Sequence, residues 1–105
     1  MIVVIKNEQH KFFEEQVKFL DRLGPRTELL IPATGWSLEE IKKIFRGLRQ
    51  DRGTKVVFAS PVPAAMRVLG GIKWGVFHND YREKKELPSG RIIQIVAKEG
   101  WKIVW

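Results

Sequence analysis

The segment from Lys55 to Asp80 constrains this chain more than any other. Lys55-Val-Val-Phe-Ala59 is a β-branched and aromatic run of strand length. Ser60-Pro61 then marks a helix start, with the serine as N-cap and the proline in the first turn, where a missing N–H costs nothing. Gly70-Gly71 stops that helix, and Ile72–Phe77 reads as a second strand ending in the polar run His78-Asn79-Asp80. Two continuous apolar strands joined by a helix form a βαβ unit, the building block of parallel sheets buried on both faces.

The flanking sequence extends the pattern. Ile2-Val-Val-Ile5 is a further buried strand, after which Asn7 is expected to cap a helix with its side-chain oxygen. Phe12, Phe13, Gln16, Val17, Phe19, Leu20 and Leu23 give that helix one face, and Gly24-Pro25 ends it. Glu28–Pro32 is the next strand. Ser37-Leu-Glu-Glu40 is a capping box opening a helix that buries Leu38, Ile41, Ile44, Phe45 and Leu48 and turns Lys42, Lys43, Arg46 and Arg49 outward. Asp51-Arg52-Gly53 is a turn. Beyond Asp80, Tyr81–Glu86 reads as a charged loop and Pro88-Ser89-Gly90 as a turn. Arg91–Ala97 and Trp101–Trp105 alternate around Lys98-Glu99-Gly100 and read as a hairpin.

The expected fold is therefore α/β: a single Rossmann-like domain over residues 1–105. Its mainly parallel sheet is flanked by three helices and carries a C-terminal antiparallel hairpin. Right-handed crossovers favour the strand order 2-1-3-4, with a switch point between the first and third strands. Open sheets of this kind bind ligands beyond strand C-termini at such a point. Lys6-Asn7-Glu8 and Ser60-Pro61 would flank that crevice, with His78-Asn79-Asp80 beside them.

Composition narrows the chemistry. The net charge is +7, with nine basic and seven acidic side chains in residues 1–50 and ten against five in residues 51–105. Such a balance suits an anionic ligand, whether nucleotide, nucleic acid or acidic protein surface, although a solvated lysine-rich face has the same composition. With no cysteine there is no disulfide, thiolate nucleophile or cysteine-bound zinc, which fits a cytoplasmic setting. Met1–Lys6 is too short for a signal peptide or membrane span, so no membrane partner is expected. Trp101, Ile103 and Trp105 share one strand face that packs either the core or a homodimer interface, and a second copy would reinforce a core this small.

Each candidate site residue has a structural alternative. Ser60 at a helix start could hold a phosphate, but Pro61 and Pro63 remove donors, and a plain cap explains it as well. His78, Asn79, Asp80, Tyr81 and Arg82 crowd polar and ionisable groups past a strand end. There, His78 could serve as acid or base and Asn79 and Arg82 could hold phosphate, while a polar turn has the same composition. His10 is expected on the surface of the first helix, and it has no metal partner at useful spacing. Lys42, Lys43, Arg46, Arg49, Arg52 and Lys55 form the densest basic run, either a phosphate-contacting face or a solvated one partly paired with Glu39 and Glu40. No cofactor or metal is implied.

Ile2–Asn7, Leu30–Pro32 with Trp36-Ser37, Phe58-Ala-Ser60 and the basic Lys84–Arg91 element together resemble, at the level of pattern, the small single-domain members of the CRISPR-associated Rossmann-fold group. The chain departs from its better-known members at Ser60-Pro-Val-Pro63, where those are glycine-rich. The resemblance implies a dimeric module that binds cyclic oligoadenylate, with phosphate or ribose contacts from Asn7, Ser60 and His78–Arg82. It also implies metal-free cleavage by a ribose 2′-hydroxyl in some relatives. The leading expectation is thus a dimeric binding module for a phosphate-bearing nucleotide, whether sensor or ring nuclease. Its ligand contacts would be Lys6, Asn7, Ser60, Asn79 and Asp80, and His78, Arg82 and Lys84 would act on the phosphate if it cleaves. The alternative is a non-enzymatic protein whose basic surface binds nucleic acid or an acidic partner.

Overall fold

Strands that are apolar on both sides need cover on both sides, and the helices supply it. The computed structural model describes residues 1–105. Its strands are β1 (Ile2–Asn7), β2 (Arg26–Ile31), β3 (Lys55–Phe58), β4 (Lys73–Asn79), β5 (Arg82–Glu86), β6 (Ile92–Val96) and β7 (Trp101–Val104). Its helices are α1 (Glu14–Leu23), α2 (Leu38–Leu48) and α3 (Pro63–Val68). Five strands form a mixed sheet in the order β2-β1-β3-β4-β7, with the first four parallel and β7 antiparallel on β4. The 2-1-3-4 order expected from crossover handedness is the order observed.

Alternation along the strands sorts the core into two layers. Val3, Ile5, Val56 and Phe58 face Ile41 and Phe45 of α2, Ala65 of α3 and Leu69 at its C-terminal end. Ile2, Val4, Val57, Phe77 and Trp101 face Leu20 of α1 with Phe13, Phe19 and Ile103 around them. Full burial of a side chain such as Phe45 contributes about 1.5–3 kcal/mol. Gly75 is required where β7 crosses β4, because a Cβ there would lie 2.9 Å from both Ile103 and Trp105.

The helix boundaries refine the sequence expectations. The capping box forms as expected: Glu40 N–H donates to Ser37 Oγ at 3.1 Å and Ser37 N–H to Glu40 Oε1 at 3.3 Å. Leu38, expected in the core, is exposed at the very start of α2, and the buried face of that helix begins at Ile41. Asn7 caps no helix. It ends β1, and α1 begins seven residues later, where Phe13 N–H donates to Gln16 Oε1 at 3.0 Å. Ser60 and Pro61 likewise precede α3, which starts with Val62 as N-cap and Pro63 in its first turn. No helix is long and apolar enough to cross a membrane.

The largest correction concerns the C-terminal third. Arg91–Ala97 does not pair with Trp101–Trp105. Instead Tyr81–Glu86, read as a loop, supplies β5, which pairs antiparallel with β6, while β7 leaves to close the main sheet. Five residues, 87–91, connect β5 to β6; Leu87 N–H donates to Arg91 C=O at 2.8 Å, and the three residues between them turn the chain with Gly90 at φ +82°. The result is a two-stranded arm separate from the main sheet, on a molecule measuring 50 × 31 × 19 Å.

Candidate functional site

The expected crevice lies where β1 and β3 end side by side, and the structure ties those ends together. Ala59 and Ser60 N–H both donate to Ile5 C=O, and the Ser60 hydroxyl accepts Asn7 N–H at 2.9 Å. Ser60 is buried, so its oxygen acts as a bridge between strand ends. Lys6 is held as well: its Nζ donates to His10 C=O at 3.1 Å, lies 3.9 Å from the Glu28 carboxylate and sits 4.8 Å from the centre of the Phe12 ring.

A cleft of about 410 Å³ opens instead between the ends of β1 and β2, lined by Asn7, Glu8, Gln9 and His10 on one side and Ile31, Pro32, Ala33 and Gly35 on the other. Glu8 spans it, accepting Ala33 N–H at 3.0 Å, and so places a carboxylate where a phosphate would have to enter. His10 belongs to this loop and not to the surface of α1. Its Nε2 is buried without a hydrogen-bond partner, as is the Gln16 side-chain nitrogen. Burial holds the His10 imidazole below its ordinary value of 6.5, the Lys6 ammonium acts in the same direction, and the Gln16 side chain opposes both. A group whose folded-state value is depressed keeps its full stabilising effect above the unfolded value and loses it as pH falls. Stability is therefore expected to drop as pH falls below 6.5, and His10→Gln should flatten that slope. Thermal unfolding from pH 7.5 to 5.5, compared between the two proteins, checks it.

The polar run after Phe77 is divided by strand alternation. His78 and Asp80 lie together, Nε2 to Oδ1 at 3.4 Å, and Asp80 also accepts from Lys102 Nζ at 2.8 Å across the β4–β7 pair. The Lys102 hydrogen bond pulls the Asp80 carboxyl below its ordinary range, and Asp80 raises Lys102 in return. Asn79 points the other way and is almost fully buried. Its Nδ2 donates to Ala97 C=O and Glu99 C=O, and its Oδ1 accepts from the N–H groups of Tyr81 and Ala97 and from the Arg82 guanidinium. Arg82 also donates to the carbonyls of Asn79 and Tyr81. Asn79 and Arg82 thus pin the base of the arm, and Lys84 lies out on β5. Of the three residues expected to act on a phosphate, the structure joins none to another; His78 meets Asp80, and Arg82 meets Asn79.

The basic surface is organised differently. Residues 42–73 contain eight basic side chains, Lys42, Lys43, Arg46, Arg49, Arg52, Lys55, Arg67 and Lys73, all exposed, and one acid, Asp51. None forms an ion pair, so the expected pairing with Glu39 and Glu40 does not occur. Arg49 donates to the Leu69 and Val68 carbonyls at the end of α3, fastening α3 to α2. The group spreads from the outer face of α2 to the starts of β3 and β4, beside a cavity of about 350 Å³ lined by Arg49, Arg52, Gly53 and Gly70 among others.

Two structural residues carried no sequence signal. Lys102 stands in an alternating strand and acquires its partner only through the β4–β7 register. Glu15 looks like any first-turn acid of a helix, yet its Oε1 accepts both Gly100 and Trp101 N–H, at 3.1 and 3.0 Å. No cluster of three His, Asp or Glu is placed to hold a metal ion. No protein-family model, curated protein or solved structure matches this chain.

Proposed function

We propose that this protein is a non-enzymatic binding module whose basic face engages nucleic acid through its phosphates. The observation that supports this reading is the segregation of charge: the surplus within residues 42–73 equals the +7 of the whole chain. These cations carry no paired carboxylates, so, apart from Arg49 with its bonds to α3, little must be broken for them to meet phosphates. Their spread over two helices and a sheet end suits a repeating polyanion better than one small ligand. Contacts of this kind position a protein without reading sequence.

A nucleotide in the strand-end crevice, as the Rossmann-like dimeric reading suggests, has less behind it. Ser60, Asn79 and Asp80 would have to give up bonds they already make, and Glu8 lines the neighbouring cleft.

Fluorescence anisotropy against duplex and single-stranded probes over a salt series tests the proposal. Binding should weaken linearly with the logarithm of salt concentration. The triple variant Lys42→Ala, Lys43→Ala, Arg46→Ala should flatten the slope by about 2–3, near 0.9 per lost phosphate contact on duplex. An unchanged slope would overturn the assignment to this face. Salt-tolerant binding of a small nucleotide would move the reading to the crevice, and equal affinity for polyglutamate would point to an acidic protein.

A further inference from the structure

Four strands in this protein leave one edge unpaired: β2 and β7 in the main sheet, and β5 and β6 in the arm. Open edges invite pairing with another chain, and folded proteins usually protect them with charge. β2 carries Arg26 and Glu28, β7 carries Lys102, and β5 is Arg-Glu-Lys-Lys-Glu. Only β6, Ile92-Ile-Gln-Ile-Val96, has no charge at all, and Ile92, Ile95 and Val96 are exposed, Ile92 at 64%. A two-stranded sheet standing by itself is marginally stable in water. The arm therefore has both the need for another strand and an edge to receive one.

The hydrogen-bond pattern fixes which positions of β6 face outward. Leu87 N–H donates to Arg91 C=O, so by antiparallel alternation Ile93 and Ile95 also turn their main-chain groups toward β5. The N–H and C=O groups of Ile92, Gln94 and Val96 are left pointing outward, and these three positions are symmetric about Gln94. We propose that the β6 edge pairs antiparallel with β6 of a second copy across a two-fold axis at Gln94, forming a continuous four-stranded sheet.

In that register Gln94 faces Gln94 of the second copy, Ile92 faces Val96, Ile93 faces Ile95, and Arg91 faces Ala97. Every outward main-chain group of the three positions finds a partner, and no charge meets a like charge. The central pair of strands brings Ile93 and Ile95 of both copies together as one apolar strip. A strand read by its own twin is the isologous arrangement that closes at two chains. This interface differs from the Trp101–Trp105 face considered from the sequence, and it is independent of the nucleic-acid reading because it is measured without nucleic acid.

Sedimentation equilibrium on the full chain, with Gln94→Pro beside it, tests the pairing. Proline at this position removes an outward N–H while sparing the bonds to β5, as edge strands allow. The unaltered chain should reach dimer mass as concentration rises, and Gln94→Pro should remain at monomer mass with the same circular dichroism. In a chain without cysteine, Gln94→Cys should form a disulfide-linked dimer on mild oxidation, the paired Cα atoms lying about 5.5 Å apart. Lys84→Cys on β5 should not. A monomeric unaltered chain, a dimer that survives Gln94→Pro, or equal cross-linking of Lys84→Cys would each overturn the proposal. If Gln94→Pro fails to fold, the cysteine pair still decides.

Discussion

Replacing Trp101 with alanine should cost about 3–5 kcal/mol, among the largest effects of any single change in this protein. Its ring stacks on Phe13 at 5.6 Å and meets Phe77 edge-on at 6.0 Å, so one side chain of β7 joins the segment entering α1 to the middle of the sheet. A domain of this size commonly holds only 5–15 kcal/mol in all. The melting temperature should therefore fall by more than about 10 °C, measured by calorimetry or circular dichroism. Trp101→Phe should cost much less than the alanine change, because it also removes an indole N–H that is buried without a partner. Trp105, roughly half exposed, is the control; a Trp105→Ala variant as unstable as Trp101→Ala would contradict the placement of the aromatic stack.

Asn79→Ala should act locally instead. It deletes the amide that bonds to Tyr81, Ala97 and Glu99 main-chain groups, leaving two N–H groups and two carbonyls at the arm's base to find water. At about 1 kcal/mol for each of several neutral bonds, the arm's opening free energy should fall by roughly 3 kcal/mol. Amide exchange within β5 and β6 should then quicken by about two orders of magnitude, while β1 and β3 exchange nearly as before. Hydrogen exchange followed residue by residue separates the two regions. Uniform acceleration across both sheets would mean that the arm and the main sheet unfold as one unit.

The legible parts of this fold are those whose physics is local. Four apolar strands, a Ser37–Glu40 capping box and the Gly24-Pro25 stop each declare themselves within a few residues, and crossover handedness then orders the strands. The C-terminal third does not work that way. Arg82–Glu86 has neither alternation nor apolar content and becomes a strand only because β6 pairs with it. Lys98-Glu99-Gly100 looks like a hairpin turn, yet Glu15, more than eighty residues away, takes the Gly100 and Trp101 N–H groups and turns the chain toward β4. Gly100 suits that path, since its φ is +85° and a Cβ would collide with the Tyr81 ring.

The candidate site was harder to read for a related reason. Ser60, Asn79 and Asp80 have side chains fit for ligands, and sequence cannot reveal that each one's hydrogen bonds are taken up within the fold. The segregation of basic residues in 42–73 is visible in the sequence, but its lack of paired carboxylates emerges only when α2, α3 and the strand starts are set side by side.

An arm that reaches beyond the sheet also governs how the molecule moves through solvent. Its radius of gyration is 15.4 Å, against about 13 Å for a compact chain of this length. A single chain should therefore leave a gel-filtration column ahead of globular standards of its own mass. Two chains joined arm to arm would tumble as an elongated body, with rotation about the long axis clearly faster than end over end.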